Sequence, residues 1–313
     1  MTNVNAPNSK QPFSFAEIFA QKMEQAPPDS ATIIASDGVK LFVAIYEPLS
    51  QQENINETNN ISLVLYHGGG CHSGAGYQDL ARNLSQTIGV AVYLPDLRGH
   101  GASGGPRGDA PSKEQVWKDV DSVLEFVSLR KPNTILYLGG HSSGGGLVVN
   151  YATKHANKRL NIDGCILVAP ELGYRSGTAR SDRNDFARVN ALAFIVNGIL
   201  GVMGHSKAVR FEYPPELLAS DAGMVGFNTV NMANAITPET PKEQMHQLCN
   251  KKPVGLWIGA DDELFVPEKV TAFVENGNTA EIVPEKNHLG ILIGIYSKIG
   301  LWIQRQGKPD PSA

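Results

Sequence analysis

Two segments of the chain have the pattern Gly-x-Ser-x-Gly, in which a serine between small residues can sit on a sharp turn and act as a nucleophile. One is centred on Ser103 and the other on Ser142. Only the second lies between an apolar run rich in strand formers, residues 134–138, and a segment with a helical pattern, residues 147–156. The strand, turn and helix together predict Ser142 as the nucleophile of a hydrolase.

A serine hydroxyl is a weak nucleophile at neutral pH, so it needs a neighbouring base, and that base needs an acid to orient it. In hydrolases with this turn the three follow one another along the chain as serine, acid and histidine. His288 is the only histidine after residue 246, and it lies between a predicted strand and an apolar helical segment. We therefore predict His288 as the base. A histidine in a solvated loop, the alternative, fits that position poorly.

Three carboxylates compete for the role of the acid. Asp261 and Asp262 follow the predicted strand over residues 253–258, and Glu171 follows the earlier predicted strand over residues 165–169. Asp262 is preferred because it occupies the third position after the glycine that ends its strand, the usual acid position in such loops. Asp261 and Glu171 stay open as alternatives.

The oxyanion of a tetrahedral intermediate needs hydrogen-bond donors, and bare glycine backbone can supply them. Residues 67–70, His-Gly-Gly-Gly, directly follow a predicted strand. The amide of Gly69 is the predicted donor from this turn, with Gly70 as the alternative, and the amide of Ser143 is the second donor. By themselves these residues could form an ordinary glycine turn, but beside a nucleophile and a base they favour an oxyanion hole.

Strands and helices alternate along most of the chain, which is typical of a mostly parallel sheet flanked by helices. The predicted strands are residues 61–66, 90–94, 134–138, 165–169, 253–258 and 280–283, preceded by a β-hairpin over residues 31–48. The predicted helices are residues 78–87, 113–129, 147–156, 268–275 and 289–304. The expected fold class is α/β.

No strand is predicted between residues 171 and 250, a gap far longer than the usual connection of ~2–6 residues. We expect an inserted, mainly helical lid here, over the carboxyl edge of the sheet where open α/β folds bind ligands. Its apolar run, residues 192–203, is expected to form the inner face of the lid, although it could instead touch a membrane or an acyl chain. The expected domains are an N-terminal extension with a short helix over residues 1–30, a core over 31–170 and 251–313, and the lid over 171–250.

The composition and the spacing of special residues argue against several classes of protein. With 313 residues and a net charge of −4, the chain is ordinary for a globular protein and lacks the basic segments of a nucleic-acid-binding protein. The three cysteines are far apart, so no disulfide framework is expected, and Cys71 is expected to be a small buried filler rather than a reactive thiol. No metal-ligand spacing or phosphate-binding loop occurs, so neither a metal nor a cofactor is expected. No signal peptide or membrane span is recognised, and a cytoplasmic location is expected.

The motifs resemble those of the α/β-hydrolases in the monoacylglycerol lipase and lysophospholipase-like group, which includes S33-type serine aminopeptidases. The resemblance covers about residues 31–304 and rests on residues 67–70, 95–104, 140–144, 261–262 and 287–288. It implies an α/β-hydrolase fold in which residues 98–101 form a structural turn, which removes Ser103 as a rival nucleophile. The three consecutive glycines at 68–70 depart from the family pattern, which often has one glycine and then another residue.

The resemblance and the predicted triad together imply a cofactor-free serine hydrolase that cleaves carboxylic esters through an acyl-enzyme. The expected substrates are small molecules: monoacylglycerols, lysophospholipids or medium-chain esters. An aminopeptidase or thioesterase with the same triad is the alternative, in which Glu212 and Glu216 of the lid could hold a substrate amine. A non-catalytic ligand-binding protein on the same fold is a third interpretation. The sequence does not indicate an oligomeric state.

Overall fold

The computed structural model describes residues 13–15, 29–48, 60–156, 160–181, 186–220 and 222–306. The N-terminal helix expected within residues 1–30 lies mostly outside this part of the chain. Residues 13–15, which are described, have no regular secondary structure.

The described strands form two sheets. In chain order the strands are β1 (Asp29–Ile34), β2 (Lys40–Tyr46), β3 (Ile61–Tyr66), β4 (Ala91–Pro95), β5 (Ile135–His141), β6 (Gly164–Val168), β7 (Ala187–Val189), β8 (Lys207–Phe211), β9 (Phe227–Thr229), β10 (Val254–Gly259) and β11 (Thr279–Val283). The main sheet has the order β1-β2-β4-β3-β5-β6-β10-β11, and β7, β8 and β9 form a separate antiparallel sheet.

The main sheet is mostly parallel. Only the β1–β2 and β2–β4 pairs are antiparallel, so the predicted hairpin lies at one side of a six-stranded parallel array. The strands β3, β4, β6 and β10 are buried at every position, because helices cover both faces of a parallel sheet and leave no solvated side. The predicted α/β class and the α/β-hydrolase fold are confirmed.

The helices surround this sheet. They are α1 (Gln78–Asn83), α2 (Lys113–Arg130), α3 (Ser143–Asn150), α4 (Ala191–Leu200), α5 (Pro215–Ser220), α6 (Val230–Ile236), α7 (Pro241–Lys251), α8 (Pro267–Thr271) and α9 (Tyr296–Gln306). Four differ from the sequence-based bounds by four residues or more; α1 and α8 end at Asn83 and Thr271 rather than at residues 87 and 275. The third begins directly after Ser142 rather than at residue 147, and the last begins at Tyr296 because a 3-10 turn at Gly290–Leu292 precedes it.

The segment between β6 and β10 contains three strands, so the expectation that no strand occurs there was wrong. Each strand is only three to five residues long. Alternation of polar and apolar residues is too brief in such strands to be recognised against the surrounding loops. The segment also contains α4–α7, and its boundaries as a separate lid stay a prediction.

The apolar helix α4 does not form the inner face of a lid, contrary to expectation. Leu192, Ile195 and Ile199 are more than half exposed, and Ala193 is the only buried residue of the helix. The sequence pattern could not reveal this, because a helix that is apolar on most sides gives no direction for its buried face.

The helices α6 and α7, also expected in the lid, pack against core helices. The side-chain amide of Asn150 donates to the backbone carbonyls of Ala235 and Thr237, and its oxygen accepts a hydrogen bond from Gln244 Nε2 at 2.9 Å. The indole of Trp117 also donates to the carbonyl of Ala235. These buried polar contacts fix the later part of the inserted segment to α2 and α3.

A buried ion pair connects the hairpin turn to helix α2. The guanidinium of Arg98 is 1% exposed and donates to both carboxylate oxygens of Asp119, at 2.5 and 2.6 Å. It also donates to Asp37 in the β1–β2 turn at 2.9 Å. Burial raises the pKa of Asp119 although Arg98 opposes that shift, so the carboxylate depends on its partner to stay charged.

We expect Arg98→Met to lower the free energy of unfolding by about 3–5 kcal/mol, because it leaves the charge of Asp119 buried without its partner. The matched control is Arg130→Met, which breaks the exposed contacts of Arg130 with Asp29 and Glu47 and costs about 0–1 kcal/mol. Urea denaturation of both variants measures the difference. Equal losses of unfolding free energy in the two variants would show that the buried ion pair stabilises the fold no more than the exposed ones do.

Candidate active site

Ser142 lies on a strained turn between β5 and α3. Its backbone has φ 53° and ψ −121°, a combination that residues other than glycine rarely adopt. A serine held in this way presents its hydroxyl beyond the end of the strand instead of burying it in the helix. The predicted strand, turn and helix are therefore all present around Ser142.

The glycines on either side make this turn sterically feasible. A Cβ atom on Gly140 would lie 2.2 Å from the backbone of Gly144, and a Cβ atom on Gly144 would lie 2.5 Å from the carbonyl oxygen of Tyr66. Real Cβ atoms do not come so close to backbone atoms, so both positions require glycine. The pattern Gly-x-Ser-x-Gly is thus explained by close backbone contacts.

The carboxyl ends of the parallel strands bring the predicted site residues together. His288 Nε2 lies 3.0 Å from Ser142 Oγ, and His288 Nδ1 lies 2.7 Å from Asp262 Oδ2. The other carboxylate oxygen of Asp262 accepts hydrogen bonds from the backbone amides of Leu264 and Phe265. The three side chains form a continuous chain of hydrogen bonds, and those of Asp262 and His288 are almost completely buried.

Neither alternative acid contacts the imidazole. Asp261 lies in the same turn, where its amide donates to the carbonyl of Lys286, and the residue is exposed. The carboxylate of Glu171 accepts from the amide of Gly173 at 2.7 Å, so it closes its own turn. Of the three candidates, only Asp262 lies within hydrogen-bond distance of His288.

The interaction between His288 and Asp262 stabilises the protonated imidazole and the ionised carboxylate. Burial by itself would lower the pKa of His288, but the charge and hydrogen bond of Asp262 outweigh burial and raise it above the ordinary value of 6.5. Burial would raise the pKa of Asp262, but His288 and the two backbone amides lower it. The site can therefore take up a proton on the imidazole while the carboxylate stays ionised.

His141 and Tyr77 support the site, although the sequence pattern predicts no role for either residue. The Tyr77 hydroxyl accepts from the amide of Gly68 at 2.7 Å and donates to His141 Nδ1 at 2.9 Å, while His141 Nε2 donates to the carbonyl of His288 at 3.0 Å. Burial lowers the pKa of His141 to about 3, so the ring is neutral. The only signal was a histidine directly before the serine, and it does not identify a partner.

The glycine turn after β3 lies beside the serine, and Gly69 is better placed than Gly70. A Cβ atom on Gly68 would lie 3.2 Å from Ser142 Cβ, and one on Gly69 would lie 3.5 Å from Ser143 Oγ. Both glycines also lie against the inserted segment: a Cβ atom on Gly69 would lie 2.7 Å from the Phe211 ring, and one on Gly70 would lie 2.3 Å from the carbonyl oxygen of Val225. Within the described residues neither the amide of Gly69 nor that of Gly70 makes a hydrogen bond, so both are available to an oxyanion.

The inserted segment holds the glycine turn from outside. The Tyr213 hydroxyl donates to the carbonyl of Gly69 at 2.6 Å, and the amide of Val225 donates to the carbonyl of Gly70 at 2.8 Å. Cys71 is buried next to this turn, with its Sγ 3.2 Å from the Tyr213 hydroxyl. The orientation of the turn therefore depends on both the core and the insertion.

Ser103, in the other Gly-x-Ser-x-Gly segment, does not belong to the site. Its hydroxyl donates to the carbonyl of Asp96 and accepts from the amide of Phe42, and the side chain is buried. Both contacts are structural, because they fix the loop after β4 to strand β2.

A cavity opens at Ser142. It is bounded by the glycine turn and His288 on one side and by aromatic rings on the other. The lining residues are Phe13, Phe15, Gly68, Gly69, Cys71, Tyr77, His141, Ser142, Phe186, Tyr213, His288 and Leu289. Glu212 and Glu216 do not line it. Within the described residues, no group of three or more His, Cys, Asp or Glu side chains could hold a metal ion.

Comparison with known families gives a match that includes the three residues of the hydrogen-bonded chain. The family described as serine aminopeptidase, S33, matches residues 58–288, about three quarters of the chain. The chain belongs to this family. The matched range includes Ser142, Asp262 and His288. Together with the relatives described next, it places the protein among the monoacylglycerol lipase-like α/β-hydrolases.

Individual relatives support the same placement. Human monoglyceride lipase is 28% identical over 295 residues, which cover 89% of this chain and 91% of the lipase. An uncharacterized abhydrolase domain-containing protein of Dictyostelium discoideum is 29% identical over 224 residues, which cover 68% of this chain but only 22% of that protein. The solved structure of a soluble variant of Saccharomyces cerevisiae monoglyceride lipase with a substrate analogue has a TM-score of 0.67 at 17% identity, covering 92% of this chain and 98% of that one.

None of the helices in the described ranges is both long and apolar enough to cross a membrane. This includes the exposed apolar helix α4, which is ten residues long.

We expect Gly144→Ala to destabilise the protein by about 1–3 kcal/mol, because the new methyl group would overlap the backbone oxygens of Tyr66 and His67. Gly198→Ala is the matched control: its Cβ meets nothing within 4 Å on exposed helix α4, so it should be neutral or stabilise by up to about 1 kcal/mol. Thermal and urea unfolding measure both. A neutral Gly144→Ala would contradict the packing argument for the turn.

Proposed function

We propose that this chain is a serine hydrolase that cleaves carboxylic esters through an acyl-enzyme, with Ser142, His288 and Asp262 as its catalytic triad. The observation that carries the proposal is the hydrogen-bonded chain from Ser142 Oγ through both nitrogens of His288 to Asp262. It has the serine, base and acid that activate a hydroxyl for attack on a carbonyl carbon.

The reaction follows from these contacts. His288 Nε2 takes the proton of Ser142 as the hydroxyl attacks the ester carbonyl. Asp262 holds Nδ1–H and stabilises the imidazolium that forms, consistent with the raised pKa of His288. The imidazolium then protonates the leaving alcohol, and a water molecule activated by the same base hydrolyses the acyl-enzyme.

The oxyanion hole in this proposal consists of the backbone amides of Gly69 and Ser143. Both amides are available, and Gly69 is favoured over Gly70 by its closeness to Ser143. Each such donor contributes about 10²–10³-fold to the rate, because it is already oriented when charge develops on the oxygen.

The substrate class is inferred from the relatives. Monoglyceride lipases of human, mouse and rat and a monoacylglycerol lipase of Mycolicibacterium smegmatis are among them. We therefore propose small esters of lipid type, such as monoacylglycerols, lysophospholipids or medium-chain esters, as substrates. A cytoplasmic location also stays a prediction.

Peptide or thioester substrates are the alternative with the same triad. The carboxylates suggested for a substrate amine do not support the aminopeptidase: Glu212 pairs with Arg188 on the surface, and Glu216 is exposed. Comparison of p-nitrophenyl esters with aminoacyl arylamides that have a free N-terminus separates the activities. A kcat/KM higher for the arylamides would overturn the ester assignment.

We expect Ser142→Ala to lower kcat for p-nitrophenyl butyrate by about 10⁶-fold, because it removes the nucleophile. The matched control is Ser103→Ala, which removes a structural hydroxyl and should lower stability while retaining activity. A fluorophosphonate probe should label wild type and Ser103→Ala but not Ser142→Ala. If wild-type protein is neither labelled nor active, the chain is a ligand-binding protein and the enzymatic proposal fails.

We expect kcat/KM to fall on the acid side as pH drops through the pKa of His288, with a midpoint above 6.5, because only the neutral imidazole accepts the proton. Asp262→Asn should move this midpoint to lower pH and reduce kcat by about 10⁴-fold, because the charge that raises the pKa is lost. The control Asp121→Asn changes the carboxylate beside His155 and should leave the profile unchanged. Identical profiles for wild type and Asp262→Asn would exclude this pair as the titrating unit.

A further inference from the structure

Residues 13–15 precede the first strand of the fold, and they lie at the cavity beside Ser142. Both phenylalanine side chains are half-buried and line that cavity. The family match begins only at residue 58, so this wall of the site comes from a part of the chain that the family does not define.

Phe13 lies between the inserted segment and the proposed base. Its ring stacks on that of Phe186, with centroids 4.5 Å apart and planes 12° from parallel. On the other side its centroid is 5.9 Å from that of the His288 ring. Distances of 4.5–7 Å are those at which aromatic rings attract one another, so Phe13 is held in place from both sides.

Phe15 extends the aromatic wall towards the glycine turn. Its ring centroid is 5.4 Å from that of Tyr213 and 5.9 Å from that of Phe186. Since the Tyr213 hydroxyl donates to the carbonyl of Gly69, this ring packs against the residue that orients the proposed oxyanion turn.

A polar contact places the same segment relative to the acid loop. The amide of Ser14 donates to Glu263 Oε1 at 3.5 Å, and Glu263 Oε2 accepts from the amide of His288 at 2.8 Å. Glu263 directly follows Asp262. Residues 13–15 are therefore positioned by the same loop that holds the proposed base and acid.

The cavity enclosed by this wall is small. Even with the open space at its mouth included, it amounts to about 280 Å³. The alcohol of an ester must leave after the first half of the reaction, whereas the acyl group stays bonded to the serine until water releases it. The acyl group therefore needs room beside Ser142 until water releases it, and the space bordered by the two rings lies there.

We propose that Phe13 and Phe15 are specificity-determining residues: they close the acyl pocket, so that esters of short acyl groups are favoured over esters of long ones. This rests on the proposed ester hydrolysis at Ser142 and narrows the proposed substrates to those members of the ester classes whose acyl groups are short. A long chain could enter only by displacing stacked rings, whereas a short acyl group fits within the wall.

The test is the double variant Phe13→Ala with Phe15→Ala in the full chain. We measure kcat/KM for p-nitrophenyl butyrate and p-nitrophenyl dodecanoate below the critical micelle concentration of the longer ester. Wild type should prefer butyrate. In the variant the ratio of dodecanoate to butyrate should rise by about tenfold or more, because space for even one methylene changes kcat/KM by about 10–200-fold in a hydrophobic pocket.

Two further variants make the result interpretable. Phe186→Ala removes the stacking partner without changing residues 13–15 and should shift the ratio in the same direction. Phe126→Ala is the matched control. Phe126 lies on helix α2, where its half-buried ring packs against Tyr93 of strand β4, and it does not line the cavity. Its ratio should equal that of wild type. Circular dichroism and thermal unfolding confirm that each variant is folded.

The possible outcomes distinguish the failure of the proposed chain-length selectivity from the failure of the proposed ester hydrolysis at Ser142. An unchanged ratio in the double variant would overturn the selective role of the two rings. An equal rise in kcat/KM for both esters would also overturn it, since the segment would then cover the site without selecting a chain length. Absence of fluorophosphonate labelling at Ser142 in wild type would instead refute the hydrolase itself.

Discussion

The left-handed backbone at Ser142 is the constraint on which the rest of the site depends. A serine with φ 53° is unfavourable in isolation, and it persists because the ends of β5 and α3 leave no other path for the chain. Gly140 and Gly144 allow the two backbones to approach, and Gly144 also lies against the carbonyl that ends β3. The same close packing therefore fixes the serine and the start of the glycine turn, so the hydroxyl and the predicted oxyanion donor cannot shift independently.

The second determinant is the burial of the hydrogen-bonded side chains of Asp262 and His288 at the end of the sheet. An ionised carboxylate as buried as Asp262 is stable only because two backbone amides and an imidazole satisfy it. His288 is in turn held through its own amide and carbonyl, by Glu263 and His141. The ring, the amide and the carbonyl of His288 are thus all hydrogen-bonded in the absence of substrate, as preorganised sites of proton transfer require.

The α/β fold could be predicted from the sequence, because strands and helices alternate along the chain in the order that a parallel sheet flanked by helices requires. Ser142, Asp262 and His288 each follow a strand, and strand ends share one edge, so their proximity could be predicted and is found; their catalytic roles stay predictions. The direction of helix α4 and the strands β7–β9 could not be predicted, because their patterns are short or apolar on all sides. The position of Phe13 depends on rings far along the chain, and no local pattern contains that information.

The hydrogen bonds from Tyr213 and Val225 to consecutive carbonyls of the glycine turn have a consequence for how such an enzyme diversifies. The insertion both lines the cavity at Ser142, through Phe186 and Tyr213, and holds the glycine turn by these two hydrogen bonds. An exchange of this insertion for that of a homologue would transfer a new specificity only if the graft also returned a hydroxyl and an amide to those two oxygens. These two contacts therefore restrict which insertions the core accepts, in addition to the contacts that fix helices α6 and α7.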